Sequence, residues 1–192
     1  MKHRALEPNW FNAPVPTFRG CDVKVLIIGL APGLRGANRT GRPFTGDFAG
    51  DLLYETLSEF GLARGHYAAR PDDGLTLIDT AITNSVRCVP PENKPIGAEI
   101  SACRPFLQRT IDSFAQLRAM VTLGRIAHET TLTTLGMKRS AYPFAHAAEH
   151  RVDDNVILFD SYHCSRYNTN TGRLTADMFR AVFRRVAEHI AE

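Results

Sequence analysis

No C-x-x-C pair occurs in this sequence, and its four cysteines, Cys21, Cys88, Cys103 and Cys164, are scattered. Without paired spacing or a secretory context, a disulfide framework is not expected, and no His/Cys/Asp/Glu cluster has zinc spacing. Cys21 and Cys164 read as free structural thiols. Uninterrupted apolar runs all fall well short of the ~20 residues a membrane-spanning helix requires. The opening Met1-Lys-His-Arg-Ala-Leu-Glu-Pro8 has basic residues but no apolar stretch behind them, so it is not a secretory leader. A cytoplasmic protein with no membrane partner is the expectation. Lysine is absent from the loop Ala31 to Gly46, which rules out a phosphate-binding G-x-x-x-x-G-K-[ST]. The dinucleotide fingerprint G-x-G-x-x-G and the serine-hydrolase elbow G-x-S-x-G are missing too.

What is present is an ordinary globular composition, 44% hydrophobic and 22% charged over 192 residues, enough for one sizeable core. One domain over 1–192 is expected, its first twenty residues an extended arm. Pro8, Pro14 and Pro16 bar a regular helix or central strand there, and Trp10, Phe11 and Phe18 offer rings to pack on the domain. The net charge of +3 is compatible with a polyanionic partner but does not establish one.

Val23 to Leu30 is a short apolar run of the kind buried on both faces in a parallel sheet. A Gly/Arg/Asn-rich loop follows, then a helix from Phe48 to Phe60. The alternation repeats: a strand at Thr76 to Thr80 and a Pro-rich loop, a helix from about Ala98 to Ser113, a strand at Leu117 to Leu123 and a helix from Ile126 to Leu135. A strand at Val156 to Phe159, a polar loop from Ser161 to Arg173 and a helix from Leu174 to Ala191 complete it. This pattern predicts a three-layer α/β/α fold around a mostly parallel, four-stranded sheet. Ligands of such folds bind at loops leaving the carboxyl ends of the strands, and those loops carry the Asn, Arg, His and Ser of this chain.

In the first loop, Gly29, Gly33, Gly36 and Gly41 allow close backbone approach, and Arg35, Arg39 and Arg42 bring charge. Asn38 can pair with a base edge or a phosphate, and Phe44 is an apolar platform for a flat ring. Asp47 can orient water or stabilise a cation, yet an aspartate before Phe48 is equally at home as a helix N-cap; on the residues alone, the cap is the commoner role. Asn84 can read a polar ring edge or close an Asx turn. In the last loop, His163 can donate to an oxygen that gains charge. The other histidines, at 3, 66, 128, 146, 150 and 189, have no comparable setting.

Gly29-Leu-Ala-Pro-Gly33, continuing through Asn38-Arg-Thr-Gly-Arg-Pro-Phe-Thr-Gly-Asp47, resembles the first motif of the type-b, or fifth-family, uracil-DNA glycosylases. Ser161-Tyr-His-Cys-Ser-Arg-Tyr-Asn-Thr-Asn-Thr-Gly-Arg-Leu-Thr175 resembles their last motif. Asn84 to Pro95 and Ala119 to Arg125 resemble the middle segments in order and spacing. The resemblance runs from about Trp10 to the end. It implies a monofunctional DNA-repair glycosylase hydrolysing the N-glycosidic bond of uracil and other deaminated bases flipped out of DNA.

By the same resemblance, Asp47, His163 and Asn38 form the catalytic set. Phe44 and Asn84 hold the base, with Gly29, Ala31 and Gly33 around it. Ala31 stands where other uracil glycosylase families carry an acidic or amide residue, leaving Asp47 as the nearby carboxylate. Arg39, Arg42, Ser165, Arg166, Asn168, Asn170 and Arg173 meet the DNA, double- or single-stranded, and a monomer is expected. The family also carries a [4Fe-4S] cluster on four cysteines. Cys88 and Cys103 match its two downstream ligands, whereas the upstream pair is missing from a sequence that starts at the arm. No intact cluster is expected, and none is needed for the chemistry. Two rivals remain: a damage-binding protein of the same fold without the chemistry, and an enzyme acting on free nucleosides.

Overall fold

The computed structural model describes residues 7–192, so the first part of the expected arm lies outside the described residues. In chain order the elements are strands Phe18–Arg19 (β1) and Val25–Gly29 (β2), helices Ala37–Thr40 (α1) and Phe48–Glu59 (α2), and strands Ala63–Arg64 (β3), Thr76–Leu77 (β4) and Thr80–Asn84 (β5). Helix Gly97–Asp112 (α3), strand Ala119–Leu123 (β6), helix Arg125–Thr134 (α4), strands Glu149–Arg151 (β7) and Ile157–Ser161 (β8), and helices Arg166–Asn170 (α5) and Ala176–Ala191 (α6) follow.

The main sheet runs β1-β5-β2-β6-β8-β7. Its four inner strands are parallel, as expected; two short edges, β1 on β5 and β7 on β8, are antiparallel and widen it. Alternation along each inner strand divides the core. Val25, Ile27, Ile82, Val121 and Phe159 face α2 and α6, while Leu26, Ile28, Ala81, Met120 and Leu158 face α3 and α4. Each Val, Ile, Leu, Met or Phe among them stabilises the fold by about 1.5–3 kcal/mol on full burial. Helix α6 presents Phe179, Val182, Phe183 and Val186 to the sheet, at the spacing of one helical face. On its outer side Arg180 pairs with Glu55 and Glu59 of α2.

Two expected boundaries are corrected. The strand anticipated at Thr76 to Thr80 is divided: Thr76–Leu77 pairs with β3 in a separate ribbon, and the sheet strand is Thr80–Asn84. Asp79, at φ 49°, breaks the run, and its carboxylate is held by Lys24 at 2.9 Å. The polar loop from Ser161 to Arg173 contains helix α5, started by Ser165, whose hydroxyl accepts from the Asn168 amide.

Register then places the chemistry. Gly29 lies opposite Asn84, and Leu123 opposite Ser161. All four inner strands therefore end on one edge, and the loops beginning at residues 30, 85, 124 and 162 emerge together.

Candidate active site

At that edge lies a cavity of about 220 Å³ whose lining includes Ala31, Gly33, Phe44, Asp47, Asn84, Asn93 and His163. A larger groove, about 700 Å³, sits at the opposite end of the strands among Phe18, Arg19, Cys21, Asp22 and Phe114. The smaller cavity is the functional candidate, because polar groups from the connections that leave β2, β5 and β8 converge on it.

Phe44 is buried and holds a left-handed φ of 52°, costly for an aromatic residue. The neighbouring backbone is held for it. The Tyr54 hydroxyl donates to the Pro43 carbonyl at 2.6 Å, and the Tyr67 hydroxyl donates to the Phe44 carbonyl at 3.2 Å, with the two tyrosine rings stacked at 4.6 Å. Gly29 lies beneath the ring. A Cβ there would stand 2.4 Å from the Asn84 Oδ1 and 2.7 Å from the Phe44 Cζ, so only glycine lets the two side chains meet. Gly29→Ala is accordingly expected to reduce turnover about 100-fold by displacing both; a kinetic comparison that found wild-type turnover would remove Gly29 from the site.

Asp47 stands both at the start of α2 and at the cavity. Its carboxylate accepts from the Gly50 amide at 3.3 Å as the N-cap of α2, and it also lines the cavity. Burial pushes its pKa above the usual carboxylate range, against the hydrogen bonds from Gly50 and Ala49. Gly36 supports it closely, since a Cβ there would reach within 2.3 Å of its Oδ2. Across the cavity, His163 faces Phe44 with ring centroids 5.9 Å apart. Burial pulls the His163 pKa down to about 4, so the ring is a neutral imidazole at physiological pH.

Three of the expected residues play other parts. Arg42 is not a surface phosphate contact: it is 5% exposed, bidentate to Asp73 at 2.8 and 2.7 Å, bonded through Nε to Thr45, and ringed by Phe18, Tyr54 and Tyr67. It braces the Pro43–Thr45 turn that carries Phe44. Asn38 is buried outside the cavity, where its amide donates to Asn12 Oδ1 at 3.0 Å and ties the arm to the loop. Asn168 donates to the His163 carbonyl at 2.8 Å and so supports that residue from behind.

Others keep surface positions. Arg39 is exposed, its Nε on the Arg35 carbonyl. The guanidinium of Arg166 lies 5.1 Å from the Phe48 ring, and that of Arg173 lies 4.7 Å from the Tyr162 ring. Asn170 is exposed and Ser165 is half-buried at its cap position. Asn93 was missed by the sequence reading. It sits at φ 57° in the Pro-rich loop, lines the cavity, and accepts from the Leu34 amide at 3.1 Å. The run Pro90-Pro-Glu-Asn-Lys-Pro95 was the only signal for so tight a turn.

Arg42→Leu should destabilise the protein by about 3–5 kcal/mol, because it leaves the Asp73 carboxylate buried without its partner. Urea unfolding measures this. A loss seen in DNA affinity at unchanged stability would restore Arg42 to the surface. Arg42 holds the Asp73 carboxyl well below the ordinary carboxylate range. The pair's contribution is thus present above that ordinary range and lost as pH falls through the depressed value.

The description "Uracil DNA glycosylase superfamily" matches residues 16–187. The chain belongs to that superfamily. A type-5 uracil-DNA glycosylase of Thermus thermophilus is 45% identical over 176 residues, covering 92% of this chain and 80% of the relative. Type-5 enzymes of Pyrobaculum aerophilum and Mycobacterium tuberculosis are 35% and 40% identical, covering 93% and 96% of this chain and 77% and 70% of theirs.

The iron–sulfur cluster implied by the family needs four thiolates. Cys88 lies just past β5 and Cys103 on α3; burial, and to a lesser degree the nearby Cys103, pushes the Cys88 thiol up. Cys21 is exposed at the opposite end of the sheet, and Cys164 is buried with its thiol on the Ala49 carbonyl. Among the described residues, then, the donors present do not fit a four-thiolate cluster.

Proposed function

We propose that the chain removes uracil and related deaminated bases from DNA by hydrolysing the N-glycosidic bond. One observation carries this reading: an aromatic platform (Phe44), a base-reading amide (Asn84), a half-buried carboxylate (Asp47) and a neutral imidazole (His163) line one cavity. Membership of the superfamily and the type-5 relatives support it.

A base stacked in a duplex is out of reach, so the nucleotide is first extruded, at a cost of a few kcal/mol that is lowest at a mismatch. The base then slides onto Phe44, and Asn84 meets its polar edge. The C1′–N bond breaks with its electron pair leaving on the base, where His163 donates a hydrogen bond to the oxygen that gains charge. Asp47 stabilises the sugar cation and takes the proton of the water that adds to C1′. Asp47 gives up that proton to solvent, the base anion takes one up, and a free base and an abasic sugar result. Arg39, Arg166 and Arg173 contact phosphates, which position the duplex without reading sequence. Arg166 and Arg173 each gain a cation–π contact with an aromatic neighbour. Ser165 and Asn170 lie on the same loop, at the duplex. The reading takes the chain as one glycosylase domain acting as a monomer inside the cell.

The test is base release from oligonucleotides carrying uracil, hypoxanthine or xanthine. Release with an abasic product, at an affinity that falls with salt, is expected. Binding without release would mean a damage-recognition protein, and release from free nucleosides would mean a small-molecule enzyme. Asn84→Ala is expected to change the ratio of uracil to hypoxanthine release. An unchanged ratio would take Asn84 out of base reading.

A further inference from the structure

We propose that His128 and Asp160 form a buried imidazolium–carboxylate couple that positions His163. Asp160 is on β8, three places before His163, and its side chain is wholly buried, while that of His128 on α4 is 1% exposed. The His128 Nδ1 lies 2.8 Å from Asp160 Oδ1, and its Nε2 lies 2.8 Å from the Tyr142 carbonyl oxygen. A carbonyl only accepts, so Nε2 bears a proton. A carboxylate is a weaker base than imidazole, so the proton between Asp160 and Nδ1 belongs to the ring. Both nitrogens donate, and His128 is cationic.

The rest of the surroundings agree. Asp160 Oδ1 also accepts from the Thr122 hydroxyl of β6 at 2.6 Å, and Oδ2 accepts from His150 Nε2 of β7 at 3.1 Å. On α4 itself, Glu129 adds negative charge and pairs with Arg139. The Phe144 ring meets His128 edge-on, with Arg125 over its face. Burial alone would lower the His128 pKa; the bond to Asp160 and its charge reverse that and raise it. The two imidazoles each reach a different carboxylate oxygen at hydrogen-bond distance; since one ligand atom from each of the three residues lies within 4.8 Å of the others, a bound metal ion is the competing outcome of the test.

The link to His163 runs through the segment that the couple anchors. Phe144 packs on Tyr162 at 6.1 Å, His146 stacks on it at 5.1 Å, and the Tyr162 amide donates to His146 Nδ1. Tyr162 directly precedes His163. Releasing Tyr142 and His150 therefore frees the backbone that aims the catalytic imidazole.

Two measurements test this. Ring ¹⁵N shifts of His128 in the intact protein should show both nitrogens protonated at pH 7. A singly protonated ring, or stoichiometric zinc bound to His128, His150 and Asp160, would overturn the charge assignment. This arm is independent of the enzymatic reading. The kinetic arm rests on base release: Asp160→Asn should lower kcat about tenfold with KM little changed, and should lose that effect in the His163→Ala background, since coupled residues are not additive. An equal loss in both backgrounds would overturn the positioning role. His128 stabilises the fold fully below the ordinary histidine range, and this is lost as pH rises through its elevated folded value. His128→Gln should accordingly flatten the alkaline fall in Tm.

Discussion

Replacing Asp47 by asparagine is expected to lower base release by about 10²–10⁴-fold while leaving the fold as stable as before, or more so. The two effects separate because the side chain does two things. As an N-cap it accepts from the Gly50 amide, and asparagine caps as well as aspartate. As a carboxylate it is half-buried and partly desolvated, which raises its pKa, so its charge works against the folded state at neutral pH. Asparagine keeps the first role and removes the second. Asp47→Ala should lose the catalysis too, along with about 1 kcal/mol of capping. The sign of the pH dependence follows: the ionised form is the active one, so turnover falls as pH drops through the raised Asp47 value. Over the same range, protonation relieves the buried charge and stability rises. Single-turnover assays beside thermal unfolding decide it. An Asp47→Asn protein with full turnover would end the catalytic reading of this residue.

His163→Ala is expected to reduce turnover by about 10²–10³-fold, the range for losing one donor to a developing anion, with a much smaller loss of DNA affinity. Because burial holds the His163 pKa at about 4, the ring stays a neutral donor at physiological pH. The acid limb of activity should therefore belong to Asp47 and not to His163. The stability trend is opposite to that of Asp47. The folded state resists protonating His163 while the unfolded chain does not, so stability falls as pH drops from the ordinary histidine range toward about 4. His163→Ala should lack that fall. Equal losses in turnover and affinity would make His163 a DNA-positioning residue only.

The residues of the cavity were mostly legible in the sequence. Asn84 ends β5, His163 lies just past β8, and Phe44 and Asp47 lie in the connection that leaves β2, and parallel strands must deliver their carboxyl-end loops to one edge. Local chemistry also foretold the N-cap at Asp47. The strand Thr80–Asn84 was harder to see, because it is rich in threonine and its break at Asp79 depends on a left-handed residue that carries no pattern.

What the sequence determined by itself is the order of strands, loops and helices and the chemistry each loop carries, since these follow from short-range periodicity and motif. What only the tertiary structure decided is the direction in which each polar side chain turns. Arg42 and Asn38 share a loop with Phe44, yet Asp73 and Asn12, distant along the chain, draw them into the interior. His128, unremarkable in the sequence, meets Asp160 only when α4 packs against the sheet. A buried polar group takes whatever partner the packing brings within hydrogen-bond reach, and packing is a property of the whole chain.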